Sequence, residues 1–175
     1  MRRAAAAVLI LFPALAWAHP GHMAGFLHPF TGLDHLLAMV AVGLWAAQLG
    51  DHWRWAVPLA FVGSMTLGGV AGFEGLRLPL VEPMIAASVL VLGLLVSLRV
   101  KMKWPALVLV GAFAVFHGVA HGAEMPPEAN KLVYALGFVC STALLHAIGV
   151  VGGALPRARW AGVPVALAGL WLLAS

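Results

Sequence analysis

Residues 30–49, 54–73, 80–100, 104–122, 130–153 and 157–174 form six apolar runs, and no other feature constrains the fold as much. Each is near the roughly 20 residues a helix needs to cross a hydrocarbon core about 30 Å thick. Within lipid a helix satisfies every backbone N–H and C=O inside its own segment, so an all-α integral membrane protein is expected, with a six-helix transmembrane bundle. Composition agrees: with 63% apolar and 9% charged residues, a soluble fold of 175 residues would lack a polar surface. The connections "GDHWR", "EGLRLP", "KMK", "AEMPPEAN" and "LPRAR" are too short to hold a soluble domain.

A seventh apolar segment precedes these six. "MRRAAAAVLILFPALAWA" combines two arginines, an apolar core and the small-x-small pattern Ala16-Trp17-Ala18. The reading is a signal peptide over 1–18 and a six-span membrane domain over 19–175; an uncleaved first span is the alternative. Both put residue 19 on the periplasmic side of the inner membrane. Inner connections then carry Arg54, Arg99, Lys101, Lys103, Arg157 and Arg159, whereas outer ones carry Arg77 and Lys131, the bias of the positive-inside rule. Trp53, Trp55, Trp104 and Trp160 fall at the inner ends, at headgroup level.

The formal charge of +4 comes from scattered side chains, and no basic stripe is present to follow nucleic acid. Cys140 is the single cysteine, so disulfides and thiolate metal sites are excluded. Gly68/Gly72, Gly118/Gly122 and Gly149/Gly153 are spaced to let helix backbones approach closely in lipid.

Ionisable side chains inside apolar runs are costly and are normally paired or functional. Here they gather toward one side: Asp34 and His35 begin the first run, Glu82 begins the third, and His117, His121 and Glu124 end the fourth. His28, His19 and His22 lie just above. Positions 117, 121 and 124 stack on one helix face, and histidines at i, i+4 can share a metal ion. His35 and Met39 have the same spacing, while Pro29 and Gly32 break or start the helix near Asp34. His146 lies about sixteen residues into the fifth run, roughly 24 Å from its outer start, well below the other histidines. It either donates to a neighbouring carbonyl or serves as a deeper relay. Met39 is core or a thioether ligand, and Glu82 is a helix cap or a ligand. His52 is a solvated loop residue. Imidazole and carboxylate without thiolate suit Ni²⁺, Co²⁺ or Zn²⁺ better than Cu⁺.

The chain resembles the HupE/UreJ group of nickel/cobalt transporters. The resemblance runs through His28-Pro29-x-x-Gly32-x-Asp34-His35 with Met39 and Val42-Gly43, and Glu82-Pro83-x-Ile85-Ala86-Ala87-Ser88. It continues in Phe116-His117-Gly118-x-Ala120-His121-Gly122-x-Glu124 and Leu145-His146 with Gly149. It implies a small permease bringing Ni²⁺ or Co²⁺ across the inner membrane for a nickel enzyme such as hydrogenase or urease, with His28, Asp34 and His35 as the recognition element. No enzyme activity and no prosthetic group are expected. In the resulting scheme His19, His22 and His28 capture the cation. Asp34, His35, His117, His121 and Glu124 strip its water, and His146 passes it inward. Two other readings stand beside it. One is an intramembrane zinc hydrolase, although Val119 and Ala120 leave the His117/His121 pair without the glutamate of His-Glu-x-x-His. The other is a non-transporting metal-binding accessory protein that works mainly through "HPGH".

Overall fold

A computed structural model of the protein describes the backbone of residues 20–175 and the side chains from residue 23 onward. The expected signal peptide, His19 and the side chain of His22 lie outside the described residues. Within them the chain is all-helical, without strands. The helices are α1 (Pro20–Thr31), α2 (Leu33–Leu49), α3 (Trp53–Phe73), α4 (Val81–Ser97), α5 (Lys103–Glu124), α6 (Lys131–Gly153) and α7 (Gly162–Ala174). A 3₁₀ turn, Ala158–Ala161, precedes α7.

Three of them, α3, α5 and α6, are long and apolar enough to cross a bilayer. The run expected as one helix over 30–49 is instead part of a broken pair: Met23–Thr31 and Leu33–Leu49 meet at 86°. Pro29 is accommodated inside α1, and the break falls at Gly32, whose extended backbone (φ −96°, ψ 118°) ends one helix and caps the next. The third run stops at Ser97 rather than 100. Arg99 N–H donates to Val96 O and Val100 N–H to Leu95 O, a Schellman close with Arg99 in the left-handed region at φ 53°. The last run starts in the 3₁₀ turn, which leaves α7 only 13 residues.

Glycine decides which helices meet. The most extensive pairing is α3 with α5, where Gly68 packs on Val115, Gly72 on Val119 and Gly122, and Gly118 on Met65 and Gly69. A Cβ on Gly72 would stand 2.7 Å from Val119 O, and one on Gly118 would collide with Met65 O. The α2/α6 contact uses Gly43 against Gly149, and Gly93 and Gly169 bring α4 and α7 together. Such approaches give lipid-embedded helices their packing energy, because no hydrophobic drive separates them from the acyl chains. All three glycine pairs singled out in the sequence lie at helix contacts.

Successive helices from α2 onward reverse direction. One end collects the start of α2, the end of α5 and the start of α6. At the other end Gln48, Arg99, Lys101 and Gly153 line one opening, and Lys103 Nζ lies 3.8 Å from Asp51 Oδ2. The core between them includes Trp45, Phe61, Met65, Ile85 and Leu92, all essentially inaccessible to solvent.

Candidate metal centre

The break at Gly32 exposes the N-terminus of α2, where backbone N–H groups favour an anion. Asp34 occupies that first turn. Its Oδ1 accepts from the backbone N–H of His35 and from His35 Nδ1–H, both at 2.7 Å. Gly32 makes room for this: a Cβ there would stand 2.8 Å from Asp34 Oδ1 and 3.1 Å from His35 Nδ1. A carboxylate only accepts, so the proton of neutral His35 sits on Nδ1 and the lone pair on Nε2.

Across from α2, α5 carries His117 and His121 one turn apart on a buried face, 0% and 2% exposed. His35, His117 and His121 each offer a ring nitrogen, and these three atoms lie within 4.8 Å of one another. His121 belongs also to a second, shallower group with His28 and Glu124 that meets the same distance. His28 Nε2 lies 2.9 Å from Glu124 Oε2, and His121 Nδ1 is 3.8 Å from that oxygen. The two groups thus overlap at one imidazole.

The rings form a continuous line. Centroids lie 4.8 Å apart from His28 to His121, 4.2 Å from His121 to His35, and 4.9 Å from His35 to His117. Phe61 follows, 5.5 Å from His117 and 5.0 Å from His146 on its other side. His28 and Glu124, with side chains 31% and 46% exposed, form the accessible end, and His146 at 2% the enclosed one.

Among the described residues, seven buried side-chain atoms have no hydrogen-bond partner. Five belong to this line: His35 Nε2, His117 Nδ1, both nitrogens of His121, and His146 Nε2. Each buried polar atom left unpaired costs about 1–3 kcal/mol. Concentrating them at one place is what a site for an electron-pair acceptor requires. Three nitrogens and a nearby carboxylate suit a borderline divalent cation.

The family model described as HupE / UreJ protein matches residues 7–172. Protein HupE of Rhizobium leguminosarum bv. viciae is 48% identical over 177 aligned positions, covering 94% of this chain and 93% of its own length. The chain belongs to the HupE/UreJ family. No solved structure matches it.

The ionisable residues of the HupE/UreJ motifs quoted from the sequence, Glu82 excepted, lie on or beside the ring line and come from four helices. His28 comes from α1, Asp34 and His35 from α2, His117, His121 and Glu124 from α5, and His146 from α6. His146 differs from expectation in depth. Its Nδ1–H donates to Met39 O at 2.7 Å, and Met39 is four residues, about 6 Å, along α2 from His35. His146 lies about one to two helical turns below His35 along α2, with Phe61 between it and His117. The sequence-based depth was measured from the start of α6, but the outer turns of α6 extend beyond α2 and pack on α1, where Gly137 abuts Phe26. Met39 joins the line through this carbonyl, while its side chain is fully buried among core residues. Glu82 stands apart: exposed at the start of α4, it lines an opening with Asp34, Pro83 and Leu172.

Three further residues touch the line without having been singled out for chemistry. Ser88 Oγ lies 3.0 Å from His117 Nε2; its only sequence signal was its place in a motif. Phe61 separates His117 from His146, and nothing distinguishes it from other core aromatics in sequence. Tyr134, the only tyrosine, has its ring 6.2 Å from His28 and its hydroxyl buried without a partner; a phenol in an apolar run was the available signal.

Proposed function

We propose that this protein is a secondary permease that takes up Ni²⁺ or Co²⁺ across the bacterial inner membrane. The observation that carries this is the His35/His117/His121 group, three buried imidazoles that each offer a ligand atom within 4.8 Å of the others and that together hold four ring nitrogens without a hydrogen-bond partner. A cation arrives at His28 and Glu124, exchanges that pair for the all-imidazole group through the shared His121, and moves past Phe61 to His146. Asp34 holds His35 in the ligating tautomer. An imidazole set gives Zn²⁺ a hold as well, so discrimination rests on geometry.

In this reading residues 1–18 are a removed signal peptide and 19–175 the transport domain, with the mature N-terminus periplasmic. Six crossings then use the three long helices, the bent α1/α2 pair and the two shorter apolar helices, Val81–Ser97 and Ala158–Ala174. The concentration of basic residues at the end away from the histidines supports a cytoplasmic placement of that end. An inside-negative potential contributes about 2.3 kcal/mol per charge per 100 mV to inward movement of the cation. The ions would supply a nickel enzyme such as hydrogenase or urease.

The test is uptake of radioactive Ni²⁺ into proteoliposomes holding an inside-negative potential, for wild type, His35→Ala and His117→Ala. Wild-type accumulation that both variants lose at equal reconstitution supports transport. Metal binding without accumulation by the wild type refutes it and leaves a fixed metal site.

A further inference from the structure

We propose that Ser88 is a positioning residue that holds His117 as the Nε2–H tautomer and so makes Nδ1 the atom His117 presents to a metal ion. This rests on reading the imidazole group as a metal site. Ser88 is fully buried on α4, and its Oγ lies 2.7 Å from Ile85 O and 3.0 Å from His117 Nε2. The hydroxyl has one proton. A carbonyl only accepts, whereas an imidazole nitrogen either donates or accepts. The network closes when Ser88 donates to Ile85 O and its oxygen accepts from His117 Nε2–H.

The opposite tautomer fails at both ends. It would bury an N–H at Nδ1, which has no acceptor, and it would set an Nε2 lone pair against the lone pairs of a hydroxyl already committed to Ile85. His35 and His146 are held by the same logic from their other nitrogen, through Asp34 Oδ1 and Met39 O. The line therefore offers Nε2 from His35, Nδ1 from His117 and Nε2 from His146. His117 is the odd one because its acceptor comes from α4 against the ε side of the ring. That leaves the δ nitrogen without a partner beside His35, whose ring centroid lies 4.9 Å away. The motif Glu82-Pro83-x-Ile85-Ala86-Ala87-Ser88 thereby acquires a chemical role at its end: Ile85 anchors the serine, and the serine orients the imidazole.

The tautomer is read directly by NMR of the full-length protein, labelled with ¹⁵N-histidine, in detergent at about pH 8 without metal. The His117 signals are assigned by their loss in His117→Asn. Wild type is expected to show Nε2–H at His117, and Ser88→Ala to shift it to a mixture or to Nδ1–H. Co²⁺ titration followed by its visible absorption should then show binding about 10- to 100-fold weaker in Ser88→Ala, with Ser88→Thr, which keeps the hydroxyl, within about threefold of wild type by the same reasoning. An unchanged His117 tautomer in Ser88→Ala, or Co²⁺ affinity within twofold of wild type, overturns the proposal. A shifted tautomer together with a wild type that does not bind Co²⁺ overturns the metal reading instead, and leaves the hold of Ser88 on His117 standing.

Discussion

Replacing Asp34 separates two roles that a carboxylate beside a metal site can have. Its Oδ1 lies 2.7 Å from His35 Nδ1, and it belongs to neither group of candidate ligand atoms, so the role to be tested against direct ligation is the orienting of His35. The side chain is only 20% exposed, so solvent screening removes little of the interaction. A charge-assisted hydrogen bond contributes about 1.5–3 kcal/mol and a neutral one about 0.5–1.5 kcal/mol. At about 1.4 kcal/mol per tenfold in affinity, Asp34→Ala should weaken Co²⁺ binding about 10- to 150-fold. Asp34→Asn keeps an acceptor oxygen and loses only the charge, which corresponds to about tenfold by the same conversion. The assay is optical Co²⁺ titration of purified protein in detergent, with circular dichroism to establish equal helicity. If Asp34 were a direct ligand, the amide would serve almost as poorly as the methyl, and the two variants would match. Equal losses, or an alanine variant within twofold of wild type, would refute the orienting role.

Gly122→Ala would push a methyl against Gly69 O and to 2.9 Å from Gly72 Cα, so the α3/α5 contact should lose about 1–3 kcal/mol and the detergent unfolding temperature should fall. Gly63→Ala meets no atom within 4 Å and should raise that temperature slightly, by the roughly 0.5–1 kcal/mol that alanine gains over glycine in a helix; a fall there would count against the packing argument. Glu124→Gln removes the carboxylate facing His28 at 2.9 Å. The pair is partly exposed, so stability should change by about 1 kcal/mol or less, while the apparent KM for uptake rises and the maximal rate holds. Ligand nitrogens must be free of protons to bind metal. Uptake with equal pH on both sides should therefore fall as the solution is made acidic enough to protonate those nitrogens, and initial rates that rise on acidification would contradict imidazole ligation.

The helical class and the boundaries of α3, α5 and α6 were legible because each depends on a local property: a long apolar run leaves a helix as the way to satisfy its own backbone. The alignment of His117 with His121 was legible for the same reason, since one helical turn separates them. The break at Gly32 could be anticipated from Pro29 and Gly32, but not the 86° turn or a helix from residue 20. The short α4 was overestimated because hydropathy continues past Arg99, where the helical hydrogen bonding ends, and α7 because the last run opens in a 3₁₀ turn before the α-helix begins.

The sequence by itself determined the chemistry available: imidazoles and carboxylates without thiolate, set near one end of a chain of apolar helices, with the basic residues concentrated at the other. That follows from composition and from the helical period, which act within a few residues. The tertiary structure alone decided that His28 meets Glu124 across 96 residues and that His146 bonds to Met39 O across 107. It also decided that Ser88 reaches His117 from another helix and that Phe61 stands between His117 and His146. These relations depend on how far each helix is shifted along its neighbour and how it is rotated. Backbone contact at Gly43, Gly118 and Gly149 sets both, and neither is encoded in the spacing of residues along one helix.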